Sequence, residues 1–118
     1  MLTGTCHCGA VRFELTENPE FLVDCNCNIC RRLGALWGHV PIGSVTVIAA
    51  SDATRAYIQG SKTLSTHSCT TCGCTTHWES LLPDGKKMAV NFRMCDPETV
   101  SQFQVRKLDG ADTWKYIE

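Results

Sequence analysis

The sequence has little net charge and no long hydrophobic run. Its 118 residues include 11 Lys plus Arg and 12 Asp plus Glu, which leaves a formal net charge of −1. This balance removes the strong electrostatic attraction on which nonspecific nucleic-acid binding depends, and there is no basic segment for an anionic membrane. The longest apolar run, residues 45–50, is far shorter than the about 20 residues of a membrane-spanning helix. We therefore expect neither a nucleic-acid partner nor a membrane partner.

A secretory signal is also missing from the first residues, which carry neither a basic segment nor a long apolar stretch. We therefore expect a cytoplasmic protein. In the reducing cytosol, closely spaced cysteines serve as metal ligands or catalytic groups more often than as disulfides. The total of nine cysteines favours the same interpretation, because an odd number would leave one cysteine unpaired.

Chain length and hydrophobic periodicity predict one mainly β domain. A chain of this size buries roughly two-thirds of the surface of its unfolded form, which is enough for one modest core. Apolar and other residues alternate at 11–15 and at 88–92, as in half-buried strands, and residues 45–48 are rich in β-branched side chains. Helical signals are limited to a turn or two within residues 28–33 and after Pro97. We therefore expect small antiparallel sheets with little helix.

Eight of the nine cysteines fall into three tight groups, at residues 6–8, 25–30 and 69–74. Zinc binds thiolates at about 2.3 Å, and ligands one or two residues apart on a tight turn can reach the same ion. Glycines beside the first and third groups, namely Gly4, Gly9 and Gly73, allow such turns to close. The clustering therefore predicts metal sites.

Ligand counting predicts how the three groups combine. A structural zinc takes four protein ligands, whereas a catalytic zinc takes three and leaves one position for water or substrate. The first and third groups supply four ligands for a closed structural site, namely Cys6, Cys8, Cys69 and Cys72. The second group supplies three ligands for an open site, namely Cys25, Cys27 and Cys30.

Spacing alone leaves other assignments open. One is a single zinc ribbon formed by Cys25, Cys27, Cys69 and Cys72. The three-cysteine group could also be a second structural site, completed by a histidine or by Cys74, and the four-cysteine group could serve redox chemistry. Cys74 and Cys95 are most simply small buried apolar residues, and His67 and His77 are most simply strand residues.

Three motifs resemble those of the glutathione-dependent formaldehyde-activating enzyme (GFA) family, also called the CENP-V family. They are GTCHCGAVRFE at residues 4–14, CNCNICRRLG at 25–34 and CTTCG at 69–73, and residues 90–92 with Asp96 and Pro97 resemble the closing strand of the family. The resemblance implies an Mss4-like β-tent fold of small antiparallel sheets braced by zinc, with residues 1–118 forming a single GFA-like zinc-binding domain. It also implies two zinc ions per chain, a structural zinc on Cys6, Cys8, Cys69 and Cys72 and a catalytic zinc on Cys25, Cys27 and Cys30.

The activity implied by this resemblance is that of a carbon–sulfur lyase, similar to S-(hydroxymethyl)glutathione synthase. Such an enzyme adds a thiol, with glutathione as the expected co-substrate, to formaldehyde or another small aldehyde. Arg31 and Arg32 follow the last ligand of the open site, where a guanidinium could bind a glutathione carboxylate. His39 is the nearest titratable group in sequence suited to moving the proton. The sequence departs from the family at Thr66-His67-Ser68, where an arginine and an aromatic residue are common.

Two other functions compete with this interpretation. The first is a non-catalytic interaction module in which zinc only stabilises the fold. The second is a zinc-ribbon nucleic-acid binder, which the net charge and the lack of interleaved basic and aromatic residues disfavour. The expected partners are thus a small-molecule thiol and a small aldehyde, and exposed β edges could also pair two copies into a homo-oligomer.

Overall fold

The computed structural model describes residues 1–117 and consists mainly of β-strands. Two short helices, α1 (Cys30–Leu33) and α2 (Pro97–Val100), lie where the sequence predicted helical turns. The strands in chain order are β1 (Leu2–Thr5), β2 (Arg12–Leu15), β3 (Leu22–Cys25), β4 (Trp37–Pro41), β5 (Val45–Ile48), β6 (Thr54–Ile58), β7 (Leu64–Cys69), β8 (Thr75–Ser80), β9 (Lys87–Asn91), β10 (Val105–Leu108) and β11 (Tyr116–Ile117). The expected mainly β fold is confirmed.

The strands form two sheets. The smaller sheet has the order β1-β2-β5, and the larger has the order β11-β10-β3-β4-β9-β8-β7-β6. The neighbouring strands are antiparallel except β10 and β3, which run parallel with Val105 opposite Leu22 and Leu108 opposite Cys25. Because these two strands run parallel, the segment after Leu108 starts at the end of β3, beside the second cysteine group.

The main core lies between the two sheets. Phe13 and Leu15 of β2 pack against Leu22 of β3 and Val90 of β9, and all four side chains are fully buried. Burial of each large apolar side chain stabilises the fold by about 1.5–3 kcal/mol. The core therefore attaches the small sheet to one face of the large sheet.

The opposite face of the large sheet carries a second apolar cluster. Ala89 of β9 belongs to it together with Val23, Cys25 and Trp37. Strand β9 is thus covered on both faces, and Met88 to Asn91 are all buried, where the sequence predicted a half-buried strand. The alternation of apolar and other residues predicted the strand correctly, but it could not show that a second apolar layer covers the other face of β9.

Among residues 1–117, no helix has the length and apolar composition needed to span a bilayer.

Candidate metal centres and active site

The four-cysteine cluster joins the turn after β1 to the turn after β7. The sulfur atoms of Cys6, Cys8, Cys69 and Cys72 all lie within 4.8 Å of one another. Sγ of Cys8 is 3.7 Å from Sγ of Cys6 and 3.6 Å from Sγ of Cys69. A tetrahedral zinc ion with Zn–S bonds of about 2.3 Å holds its sulfurs about 3.8 Å apart. The four thiols therefore fit a closed zinc site.

Backbone N–H groups prepare these thiols to carry negative charge. The N–H of Val11 donates to Sγ of Cys6, and the N–H groups of Thr71 and Cys72 donate to Sγ of Cys69. Hydrogen bonds from the backbone at Cys74 and Cys8 lower the pKa of Cys72 to about 5. The thiolate is the form that binds metal, so this environment favours metal binding.

The turns at this cluster depend on two glycines with positive φ. Gly9, with φ of 83°, directly follows Cys8, and Gly73, with φ of 81°, directly follows Cys72. Residues with a Cβ rarely adopt this conformation, so glycine allows both turns to close at low cost. The structure agrees with the expectation for these two glycines. Gly4 instead lies within β1, where its lack of a Cβ makes room for the ring of Phe13.

The three-cysteine cluster lies between the end of β3 and the start of α1. The sulfur atoms of Cys25, Cys27 and Cys30 also lie within 4.8 Å of one another. The N–H of Cys27 donates to Sγ of Cys25, and the N–H of Cys30 donates to Sγ of Cys27. Burial raises the pKa of the Cys30 thiol, while a hydrogen bond from the indole of Trp37 opposes that effect. This donor set is suited to a thiophilic ion such as zinc.

The arrangement decides between the partitions left open by spacing. Cys69 groups with Cys6 and Cys8, so a ribbon that combines it with Cys25 is wrong. Cys74 packs against the four-cysteine cluster, beside Cys6 and Cys69, and therefore does not complete the three-cysteine site. The three-cysteine group, as described, contains no histidine.

A cavity of about 740 Å³ opens over the three-cysteine cluster. Aromatic side chains of Trp37, Trp78 and Trp114 form part of its wall, and Gln59, Ser61 and Thr63 contribute polar atoms. Within residues 1–117, none of the four thiols of the other cluster lines this cavity. Trp37 and Trp78 thus belong to the wall of the pocket.

The segment after β10 closes one side of the cavity. Asn26 holds it in place, since its Nδ2 donates to Oδ1 of Asp109 and its Oδ1 accepts from the N–H of Ala111. Gly110 comes so close that a Cβ at this position would lie 2.5 Å from Sγ of Cys25. Gly110 and Trp114 were missed by sequence analysis, because the parallel pairing of β10 with β3 brings them to the cluster.

The two arginines after the cluster have different surroundings. Arg31 lines the cavity. Nη1 of Arg32 instead donates to the backbone oxygen of Asn28, 2.8 Å away, and to the side-chain oxygen of Asn28. Of residues 31 and 32, therefore, Arg31 alone is placed to meet a bound molecule in this cavity.

His39 also lines the cavity, from the middle of β4. Its ring packs edge-on against Trp78, with 5.7 Å between ring centroids. Burial and the nearby charge of Lys87 lower the pKa of His39 below its usual 6.5. The imidazole is therefore neutral at pH 7 and able to accept a proton.

Comparison with known proteins identifies the family of the chain. The family model described as "Glutathione-dependent formaldehyde-activating enzyme" matches residues 1–107. The fold is similar to that of a crystal structure of a Rhodobacter sphaeroides protein, with a TM-score of 0.71 and 28% sequence identity, covering 88% of this chain and 99% of that one. The chain therefore belongs to the glutathione-dependent formaldehyde-activating enzyme family.

Proposed function

We propose that the protein is a zinc-dependent carbon–sulfur lyase that adds a thiol such as glutathione to formaldehyde or another small aldehyde. The observation that carries this proposal is the contrast between the two cysteine clusters. The four-cysteine cluster can surround an ion completely, whereas the three-cysteine cluster lies in a cavity of about 740 Å³. A site with three protein ligands leaves a position for a substrate.

Cys25, Cys27 and Cys30 would hold the catalytic zinc ion, and Cys6, Cys8, Cys69 and Cys72 the structural one. At the three-cysteine site a bound zinc ion supplies Lewis-acid chemistry that favours the thiolate form of a substrate thiol. The partners in this proposal are a small-molecule thiol and a small aldehyde, and the protein acts in the cytoplasm as a single zinc-binding domain.

Arg31 binds and orients the thiol substrate in this proposal. Glutathione carries two carboxylates, and a guanidinium can bind one of them through two parallel hydrogen bonds. Because Arg31 directly follows the last ligand of the site, a carboxylate held there keeps the thiol of the same molecule near the cluster. The three tryptophans around the cavity reduce the access of water to the reacting atoms.

His39 moves the proton. In the addition a new bond forms between the thiol sulfur and the aldehyde carbon, and the carbonyl π electrons become a lone pair on oxygen. The proton that leaves the thiol must end on that oxygen, so the reaction neither consumes nor releases protons overall. A neutral imidazole can accept the proton and return it to the new hydroxyl group.

The direct test measures formation of the S-hydroxymethyl adduct from glutathione and formaldehyde, as a rate above the uncatalysed addition. Zinc per chain is measured on the same samples by elemental mass spectrometry. We expect Cys27→Ala to lose the rate and about one zinc ion per chain, and Cys74→Ala to keep both. The alternative, a non-catalytic module, is supported if zinc-loaded protein gives no rate above background and glutathione does not raise its melting temperature.

A further inference from the structure

A third cluster of potential metal ligands lies on strands β7 and β8. His67 and His77 are cross-strand partners, and Glu79 follows two residues later on the face that His77 occupies. The neighbouring pair, Thr66 and Trp78, points to the other face and lines the cavity. The cluster therefore lies on the side of the sheet opposite to the proposed active site.

The ligand atoms of this cluster all lie within 4.8 Å of one another. The two imidazole rings are stacked, with 4.6 Å between centroids and 9° between ring planes. Nε2 of His67 is 3.3 Å from Oε2 of Glu79, and Nε2 of His77 is 3.7 Å from Oε1 of the same carboxylate. Oγ of Ser65 lies 3.1 Å from Nε2 of His67 and adds a hydroxyl oxygen at the same place.

The hydrogen bonds of Thr76 determine which nitrogen of His77 is free. The hydroxyl of Thr76 donates to the backbone oxygen of His67, so its oxygen accepts from Nδ1–H of His77 at 2.8 Å. The unprotonated Nε2 of His77 then points its lone pair at the carboxylate. Nδ1 of His67 is likewise 3.3 Å from a threonine hydroxyl, that of Thr54.

His77 is held in the way that proteins hold metal-binding histidines, with one ring nitrogen fixed by a hydrogen bond and the other left to bind an ion. In this neutral tautomer Nε2 of His77 offers no hydrogen atom to the carboxylate of Glu79, so a cation between them would satisfy both groups. Nε2 of His67 has the Ser65 hydroxyl as a partner, which an ion would replace or share. His77 is 2% exposed and Glu79 is 51% exposed, so solvent reaches the cluster at Glu79.

We propose that His67, His77 and Glu79 bind a divalent first-row transition-metal ion. Two imidazoles and one carboxylate suit zinc, iron, cobalt or nickel, and lack the thiolates that make the two cysteine sites specific for soft ions. Three protein ligands leave positions for water or for a small ligand. This site shares no ligand with either cysteine cluster, although His67 precedes Cys69 by two residues on β7, and it does not depend on the proposed activity.

The first experiment counts metal ions. Purified protein is equilibrated with micromolar Zn²⁺, dialysed, and analysed by elemental mass spectrometry. Glu79→Gln removes the charged ligand at a half-exposed position and keeps the side-chain shape, and His67→Gln removes one imidazole without truncating buried His77. We expect each variant to hold one zinc ion fewer per chain than the wild type. Glu98→Gln, the same change at an exposed carboxylate on α2, should hold as many as the wild type.

The second experiment uses Co²⁺ as a probe of the ligands. Zinc is first removed from the weaker site by limited dialysis against a mild chelator, and Co²⁺ is then added to protein that keeps zinc on its cysteines. We expect one equivalent to bind without thiolate-to-cobalt charge-transfer absorption, and at least about tenfold weaker binding in Glu79→Gln. The proposal is overturned if wild type and Glu79→Gln hold equal zinc, or if all bound cobalt shows thiolate bands. If the wild type binds the ion at this site but forms no S-hydroxymethyl adduct above the uncatalysed rate, the proposed function alone is contradicted.

Discussion

The indole Nε1–H of Trp37 donates a hydrogen bond to Sγ of Cys30 across 3.3 Å. Trp37 is buried at the start of β4, whereas Cys30 begins α1, so the bond connects the sheet to the helical turn that carries the last thiol of the cluster. A hydrogen bond of this kind stabilises the thiolate and fixes its direction.

Trp37→Phe keeps an aromatic ring in the wall but removes the donor. We expect the affinity of the three-cysteine site for zinc to fall by about 10- to 100-fold, because partners of metal ligands commonly have effects of this size. Competition with a zinc chelator of known affinity measures it. Trp114→Phe, at an exposed position of the same cavity, is the matched control and should change the affinity little. Equal affinities in the two variants would contradict the prediction.

Gly110→Ala places a methyl group against the sulfur of Cys25. A sulfur bound to metal cannot move aside, so either the segment after β10 or the thiol must shift, at a cost of about 1–3 kcal/mol. We expect lower zinc occupancy at the three-cysteine site and a lower melting temperature. At Gly43 an added Cβ would meet no heavy atom within 4 Å in the described part of the chain, so Gly43→Ala should be neutral. The prediction is contradicted if Gly110→Ala keeps as much zinc at the three-cysteine site as Gly43→Ala.

Arg31 and Arg32 provide a matched pair for substrate binding. Arg31→Ala is expected to raise KM for glutathione by about 10- to 100-fold, the effect of losing a hydrogen bond to a charged group of about 1.5–3 kcal/mol. Arg32→Ala should have a smaller effect, because its guanidinium is held by Asn28. Steady-state kinetics at saturating formaldehyde measure both values. A larger KM effect at Arg32 would reverse the assignment.

His39→Gln is expected to lower kcat by about 10²- to 10⁴-fold, the range for a lost acid–base group. Burial and the charge of Lys87 lower the pKa of His39 from its ordinary value, so the imidazole is neutral at pH 7 and gains a proton only at more acidic pH. Only the neutral form can accept the thiol proton. The ratio of wild-type to variant kcat should therefore be constant at and above pH 7 and decrease at acidic pH. Ionisation of the thiol affects both proteins and cancels in this ratio. A ratio near one at pH 7 would exclude the role.

The thiols within each cysteine group could be predicted to lie together because this depends on local spacing. Cys6 and Cys8, or Cys69 and Cys72, are so close in sequence that a tight turn directs both sulfurs to one point. Counting ligands then paired the first and third groups, which no local rule could do. Short alternating segments likewise predicted β2 and β9, since the period of two is a property of the strand itself.

Features that depend on strand register could not be predicted. His67 and His77 meet only because β7 and β8 pair in one register, and that register shifts at a bulge directly after His67. The different surroundings of Arg31 and Arg32 could not be predicted either, because they depend on the direction in which each helical residue points. Successive residues on a helix differ by about 100° in direction, so sequence alone does not say which of the two arginines faces the cavity.

The four-cysteine cluster also has a consequence for the order of events during synthesis. Cys8 and Cys69 touch although they are 61 positions apart, and Cys72 comes last of the four. A nascent chain cannot assemble the four thiols until Cys72 has left the ribosome, and until then the turn after β1 lacks the two cysteines that face it. The entropic cost of closing so long a loop falls on that single step. In zinc-starved cells we expect newly made chains to accumulate with the four-cysteine cluster unassembled, which leaves the small sheet exposed to chaperones and proteases.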